Sequence, residues 1–157
     1  MEGVYSMEKC YYCQSYVKRI DSHTYYCDFC QIKHSFSDNE TPSFKGLFCP
    51  SDLSKSPVEL KKLHVIDLLL MLRHCREERR EFYSLMRTIG KVKNVSKDFE
   101  EGYRASYQDY LYWTKKVRVV ETLIQEKAGY IPKAVTNELL NKFYDAYSYG
   151  LDTAKAV

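Results

Sequence analysis

Long apolar runs are missing from this 157-residue chain. The longest, Leu68 to Leu72, is far shorter than the roughly 18 residues that mark a membrane-spanning helix, so no membrane span is expected. The opening residues, Met1-Glu-Gly-Val-Tyr-Ser-Met7, lack a basic segment followed by an apolar one. No secretory signal is expected there, and a reducing, cytoplasmic setting follows. The six glycines are isolated from one another, which leaves no glycine-rich loop to cradle a phosphate. No Ser-His-Asp or Cys-His set falls on plausible elements. His64 and His74 stand ten residues apart on the first expected helix, and no His-x-Glu stands beside the cysteines as a zinc deaminase would need. No enzyme is expected. The net charge is only +3 and the isoelectric point about 8.4, below the value of about 9 common in dedicated nucleic-acid binders.

Tyrosine, by contrast, is abundant, with 15 copies. Each brings a broad apolar ring and one polar tip, suited to small cores, half-wet faces and partner surfaces. Charge is unevenly placed. Residues 57–97 hold ten Lys/Arg against five Asp/Glu, while the segments on either side are each slightly acidic.

The pattern divides the chain into residues 1–37, a connector over 38–56, and a helical part over 57–157. In the first, Ser15 to Ile20 is rich in β-formers. Asp21-Ser22 suits a turn, Thr24 to Tyr26 a return strand, and Ile32, His34 and Phe36 alternate as a third strand should. The connector is broken repeatedly by Asp, Asn, Pro, Gly and Ser, and Phe44, Leu47, Phe48 and Leu53 are expected to pin it to the body.

Three helices are expected, at about 57–89, 96–128 and 132–149. Ser56, Pro57 and Glu59 form a start signal for the first, and Gly90 a stop. Val65, Leu68, Leu72, Cys75, Phe82, Met86 and Ile89 share a stripe. In the second, Phe99, Tyr103, Ser106, Tyr110, Trp113, Val117, Val120 and Ile124 recur at steps of four and three, a heptad seam. In the third, Val135, Leu139, Phe143, Ala146 and Tyr147 share a face. The short link after Gly90 makes the first two antiparallel neighbours. The expected fold is therefore α+β, mostly α: a small N-terminal cysteine-held module, a long antiparallel helical hairpin, and a third helix. A seam this regular also suits a homodimer.

The chemistry sits in Cys10-x2-Cys13 and Cys27-x2-Cys30. Two residues between cysteines let both thiolates reach one ion from a tight turn, and two such knuckles joined by a hairpin close a tetrahedral site. A disulfide framework does not fit the expected compartment, and a thioredoxin-like motif lacks its βαβ context. Spacing alone leaves iron as an alternative to zinc. His23 and His34 stand near enough in sequence to replace a thiolate. Cys75 reads as a packed core residue and Cys49 as a packed loop residue.

Cys10-Tyr-Tyr-Cys13, the β-rich Tyr16 to Ile20, Tyr26-Cys27-Asp-Phe-Cys30 and Lys33 to Phe36 resemble the zinc-ribbon family over residues 8–37. Where ribbons often have glycine just after a knuckle, Gln14 and Gln31 stand here. The resemblance implies one structural zinc ion on Cys10, Cys13, Cys27 and Cys30. Ribbons bind nucleic acid or protein, so it does not choose a partner.

Two surfaces are candidates for one. On the ribbon, Tyr16, Lys18, Arg19 and Lys33 stand with Tyr11, Tyr12, Tyr25 and Tyr26. On the first helix, Arg73, Arg76 and Arg80 form a basic stripe, for which a solvated face laced with pairs such as Arg73–Glu77 is the leading reading. The expected role is that of a non-enzymatic zinc-binding adaptor or regulator with a protein partner, such as one from transcription or replication machinery. A nucleic-acid-binding module and a structural oligomerisation protein are the alternatives.

Overall fold

The computed structural model describes residues 5–10, 13, 15–20, 24–33 and 48–148, without the side chains of 5–8, 147 and 148. The expectations for Tyr11, Tyr12, Gln14, the Asp21-Ser22 turn, His23, His34, Phe36, most of the connector, the Tyr147 side chain and residues 149–157 lie outside the described residues.

The N-terminal part is a four-stranded antiparallel sheet in sequential order: β1 (Tyr5–Lys9), β2 (Tyr16–Arg19), β3 (Tyr25–Cys27) and β4 (Ile32–Lys33). The β2–β3 hairpin lies where the β-rich run predicts it, with Lys18 opposite Tyr26. Strand β1 was not expected. It pairs with β2 through a register shift between Tyr5 and Lys9. Its Tyr5-Ser-Met-Glu alternation is the local signal for a strand, and pairing with β2 is what holds it there.

A 3-10 helix over Pro50–Ser54 leads into the helices: α1 (Pro57–Leu60), α2 (Val65–Gly90), α3 (Lys97–Ala128) and α4 (Asn137–Ser148). The first expected helix, 57–89, is thus two. The capping box is present, with Ser56 Oγ accepting from the Glu59 N–H and the Ser56 N–H donating to the Glu59 carboxylate at 2.8 Å. Yet α1 makes one turn only. The chain unwinds at Lys61-Lys62, and Leu60 and Leu63 on either side of the break are both buried.

His64 then starts a new helix, its Nδ1 accepting from the Ile66 N–H at 3.2 Å. Burial pushes the His64 pKa below the usual 6.5, partly offset by Asp67. Only the neutral ring can accept that hydrogen bond. The unfolded chain therefore takes up a proton more readily than the folded one, and the contribution to stability, present well above pH 6.5, is lost as pH falls from there toward the lowered folded pKa. Urea midpoints should drop between pH 7.5 and 5.5, and His64→Asn, which caps without titrating, should narrow the difference.

Helix α3 begins and ends as its sequence signals predict. Ser96 Oγ caps the Phe99 N–H, and Gly129 closes the helix in the left-handed region at φ 81°. Gly90 acts differently from a helix stop. It is still helical, and a Cβ there would meet Tyr103 Cε2 at 3.2 Å, so its small size lets the two helices converge near their turn. The third helix starts at Asn137 rather than about 132, because Thr136 caps it through the Leu139 N–H at 3.1 Å.

Helices α2 and α3 pack as the expected antiparallel hairpin, and the heptad seam is buried only in part: Ser106, Val117, Val120 and Ile124 are buried, Tyr103, Tyr110 and Trp113 half-buried, and Phe99 exposed near the hairpin turn. Over the buried stretch the seam meets α2 of the same chain rather than a second copy. The stripe on α2 is buried from Val65 to Cys75, but Phe82, Met86 and Ile89 are only half-buried. Leu140, Phe143 and Ala146 seat α4. One contiguous core runs from the four cysteines, through Val17 and Ile32, to the helices. No described helix is long and apolar enough to cross a membrane.

Candidate metal centre

The local structure of the second knuckle explains its position. Cys27 ends β3, and the Gln31 N–H closes a turn onto the Cys27 carbonyl at 2.8 Å. The Cys30 N–H points at Cys27 Sγ, 3.4 Å away, an orientation that favours a thiolate there. Gln31 turns the chain at φ 55°, in the left-handed region that favours glycine. A side chain in this region costs roughly 1–2 kcal/mol relative to the right-handed one. Gln31→Gly should therefore stabilise the knuckle by about 0.5–1 kcal/mol after the greater entropy of unfolded glycine is counted. Slower amide exchange across residues 24–33 would register the gain.

The first knuckle is brought up by the sheet. The Cys10 N–H donates to the Ser15 carbonyl at 2.7 Å as the chain leaves β1 and enters β2. Strand pairing across β2 and β3 then sets the two knuckles side by side.

All four cysteines are buried, and their sulfur atoms lie within 4.8 Å of one another. Cys10 Sγ is 3.9 Å from Cys30 Sγ, and Cys13 Sγ is 3.5 Å from Cys27 Sγ. A tetrahedral ion with metal–sulfur bonds near 2.3 Å requires sulfur–sulfur edges of about 3.8 Å, so the donor set fits one such ion. None of the four is in a disulfide.

Crowding splits their acidity. Hydrogen bonding from Cys10 lowers Cys13 strongly, and Cys10 likewise brings Cys27 down to about 7. The pairing with Cys13 raises Cys10, and that with Cys10 raises Cys30. The cluster thus favours partial ionisation. A bound dication would favour all four thiolates, because metal ligation requires the deprotonated form.

Aromatic rings fasten this centre to the helices. Phe29, between the two ligands of its knuckle, meets the Tyr112 edge at 5.8 Å. From there the chain of rings runs through Trp113 and His74 to Phe48, each centroid within 5.7 Å of the next. Lys115 and Lys116 lie over Phe29 at 5.2 and 5.6 Å. Lys116 also donates to the Leu53 carbonyl at 2.6 Å. Burial lowers its pKa, and the thiolate favoured at Cys13 is among the groups that oppose that shift. Its ammonium is therefore a countercharge beside the sulfur cluster. Nothing in the sequence singles out Lys116. Only the docking of β3–β4 against α3 gives it this role. The seam leaves a cleft of about 410 Å³ between Cys30, Gln31, Leu53, Glu59, Tyr112 and Lys116.

The other candidate residues are dispersed. Tyr16 is 60% exposed, with Lys9 over its ring at 5.7 Å. Lys18 pairs with Asp28 at 2.7 Å, and Arg19 and Lys33 are exposed. On α2, Arg73 donates to Asn137 Oδ1 at 2.9 Å rather than pairing with Glu77. Arg76 is engaged by Glu121 at 2.7 Å and by the Lys133 carbonyl at 3.0 Å. These two arginines tie α2 to α3 and α4. Arg80 is exposed and makes none of these ties. His74 contacts Glu78 at 3.9 Å within the aromatic chain. Cys75 is fully buried, and desolvation pushes its thiol up to about 12, as suits a core residue.

No family model, curated protein or solved structure matches the chain.

Proposed function

We propose that this chain is a non-enzymatic zinc-stapled adaptor whose ribbon face binds a protein partner. The observation that carries the reading is the closed set of four buried sulfurs at tetrahedral spacing. Four thiolates fill the coordination of zinc and leave no position for substrate or water, so the ion supplies folding energy rather than catalysis. Cys10, Cys13, Cys27 and Cys30 would hold it.

The surface that this staple orders supports a binding role. Tyr16 and Ile20 are both more than half exposed at the two ends of the β2 run. Four residues apart along this extended run, they share one face about 13 Å from each other, and exposed aromatic and aliphatic side chains are typical anchors at protein interfaces. The test has two readings. Elemental analysis should find one equivalent of zinc, and Cys13→Ser should abolish it. Immobilised protein should capture a stoichiometric protein from a native lysate, and Tyr16→Ser/Ile20→Ser should lose it with zinc retained. Zinc below half an equivalent removes the staple, and failure to capture a partner removes the adaptor role.

A further inference from the structure

The helical hairpin outruns the rest of the described molecule. The tethers from the α4 side end at Arg73 and Arg76, and those from the ribbon side at His74 and Tyr112. Because Lys133 meets Arg76 and Asn137 meets Arg73, α4 runs back along α2, away from the hairpin turn. Beyond Arg76, α2 continues to Gly90, and α3 returns from Lys97. That is a projection of about 20 Å at 1.5 Å per residue.

Over residues 77–110 its seven Lys/Arg are matched by seven Asp/Glu, but the two signs are segregated. From residue 79 to 97 the chain holds Arg79, Arg80, Arg87, Lys91, Lys93 and Lys97 against one acid, Glu81. Among the described residues none of these six is in an ion pair, whereas Arg76 and Arg104 are neutralised by Glu121 and Glu100. The sequence alone suggests interleaved, self-cancelling charges. The fold instead uses Arg73 and Arg76 as ties and leaves the distal cations free.

Aromatic rings share one side of the projection with them. Tyr83 and Tyr107 are 44% and 42% exposed. Tyr83 lies 5.5 Å from Tyr110, with Arg87 over its ring at 5.9 Å, and Lys93 covers Tyr103 at 4.7 Å. Arg80, Tyr83 and Arg87 follow each other at helical spacing on α2. At about 100° per residue, Glu77, Glu78 and Glu81 are turned about 120–160° away from Tyr83, and Asp98, Glu101 and Asp109 about 120–180° away from Tyr107. The acids of the tip thus lie off this face, apart from Glu100, which Arg104 holds at 2.6 Å.

We propose that this face of the hairpin tip is a binding site for single-stranded nucleic acid. Arg80, Arg87 and Lys93 take the phosphates, and the Tyr83 and Tyr107 rings take bases. Cations set between exposed rings suit a strand whose bases are unstacked, since a duplex hides those ring faces. The site is separate from the ribbon surface proposed to bind protein.

Fluorescence anisotropy with labelled oligothymidylate and oligouridylate, read at low and raised salt, tests this. Wild-type protein should bind a single strand more tightly than a duplex of equal length. The triple variant Arg80→Gln/Arg87→Gln/Lys93→Gln should weaken binding at least tenfold and flatten the salt slope by about 2, at roughly 0.7 per phosphate contact. Tyr107→Ala should weaken it about 5- to 100-fold, the range for loss of one stacked base. Lys142→Gln, a cation on α4, should change nothing. Circular dichroism checks that each variant is folded. The proposal is overturned if wild-type protein fails to bind, if polyglutamate or duplex binds as tightly as single strand, or if the folded triple variant binds as wild type does.

Discussion

Treating the metal-loaded protein with a strong chelator should erase the ribbon and leave the helices standing. Apart from its cysteines, the sheet buries only Val17 and Ile32 among its described apolar residues. A module that small cannot offset the entropy of ordering its own chain. Its folding energy has to come from the ion, for which structural zinc sites supply roughly 10–16 kcal/mol of apparent binding free energy. The helical share of the contiguous core, from Leu60 through Ile124 to Phe143, is far larger than the share of the sheet. Hydrogen exchange should therefore lose protection at residues 5–10 and 24–33, while α2 and α3 stay protected. Cys13→Ser should reproduce this without chelator. Loss of the helical circular-dichroism signal together with the ribbon would show instead that the two parts fold as one unit. The Phe29–Tyr112 and Lys116–Leu53 contacts are where such coupling would pass.

The second large effect is expected at Phe143. It is 1% exposed and among the largest fully buried side chains. Truncation to alanine leaves a cavity that rigid neighbours cannot fill, at a cost of about 3–5 kcal/mol. In a chain of this size that lowers the melting temperature by about 10 °C. The loss should concentrate in α4. Twelve residues do not make a stable helix alone, and the described anchors left to α4 include Leu140, Ala146, the half-buried Leu139 and Tyr144, and the Arg73–Asn137 hydrogen bond. Thermal melts would give the size of the effect, and amide exchange over Asn137–Ser148 its location. A loss below about 1 kcal/mol would mean that the core reseals around the gap.

The legible features were those written in short, local signals. Cysteine pairs two residues apart, a β-rich run between them, Ser96 before an acidic first turn and Gly129 after a regular seam each act over a few residues. All four reappear in the structure. The break at Lys61–His64 was hidden for the opposite reason. Local propensity favours continuing the helix, and nothing local marks the turn at Lys61-Lys62; the chain restarts at His64, whose ring caps the Ile66 N–H, with Leu60 and Leu63 buried in a core built by distant residues. Strand β1 does carry a local alternation, and pairing with β2 holds it in place.

By itself, then, the sequence determined that four sulfurs can converge and that a helical hairpin follows them, since ligand spacing and hydrophobic periodicity are properties of neighbouring residues. Which cations remain free was decided by the tertiary structure. Arg73 and Arg76 are indistinguishable in the sequence from Arg80 and Arg87, and differ only because α4 and Glu121 reach the first pair. Likewise Lys116 became the charge beside the sulfur cluster through the docking of ribbon on helix. Side-chain partners separated by dozens of residues are chosen by packing, and packing has no local signature.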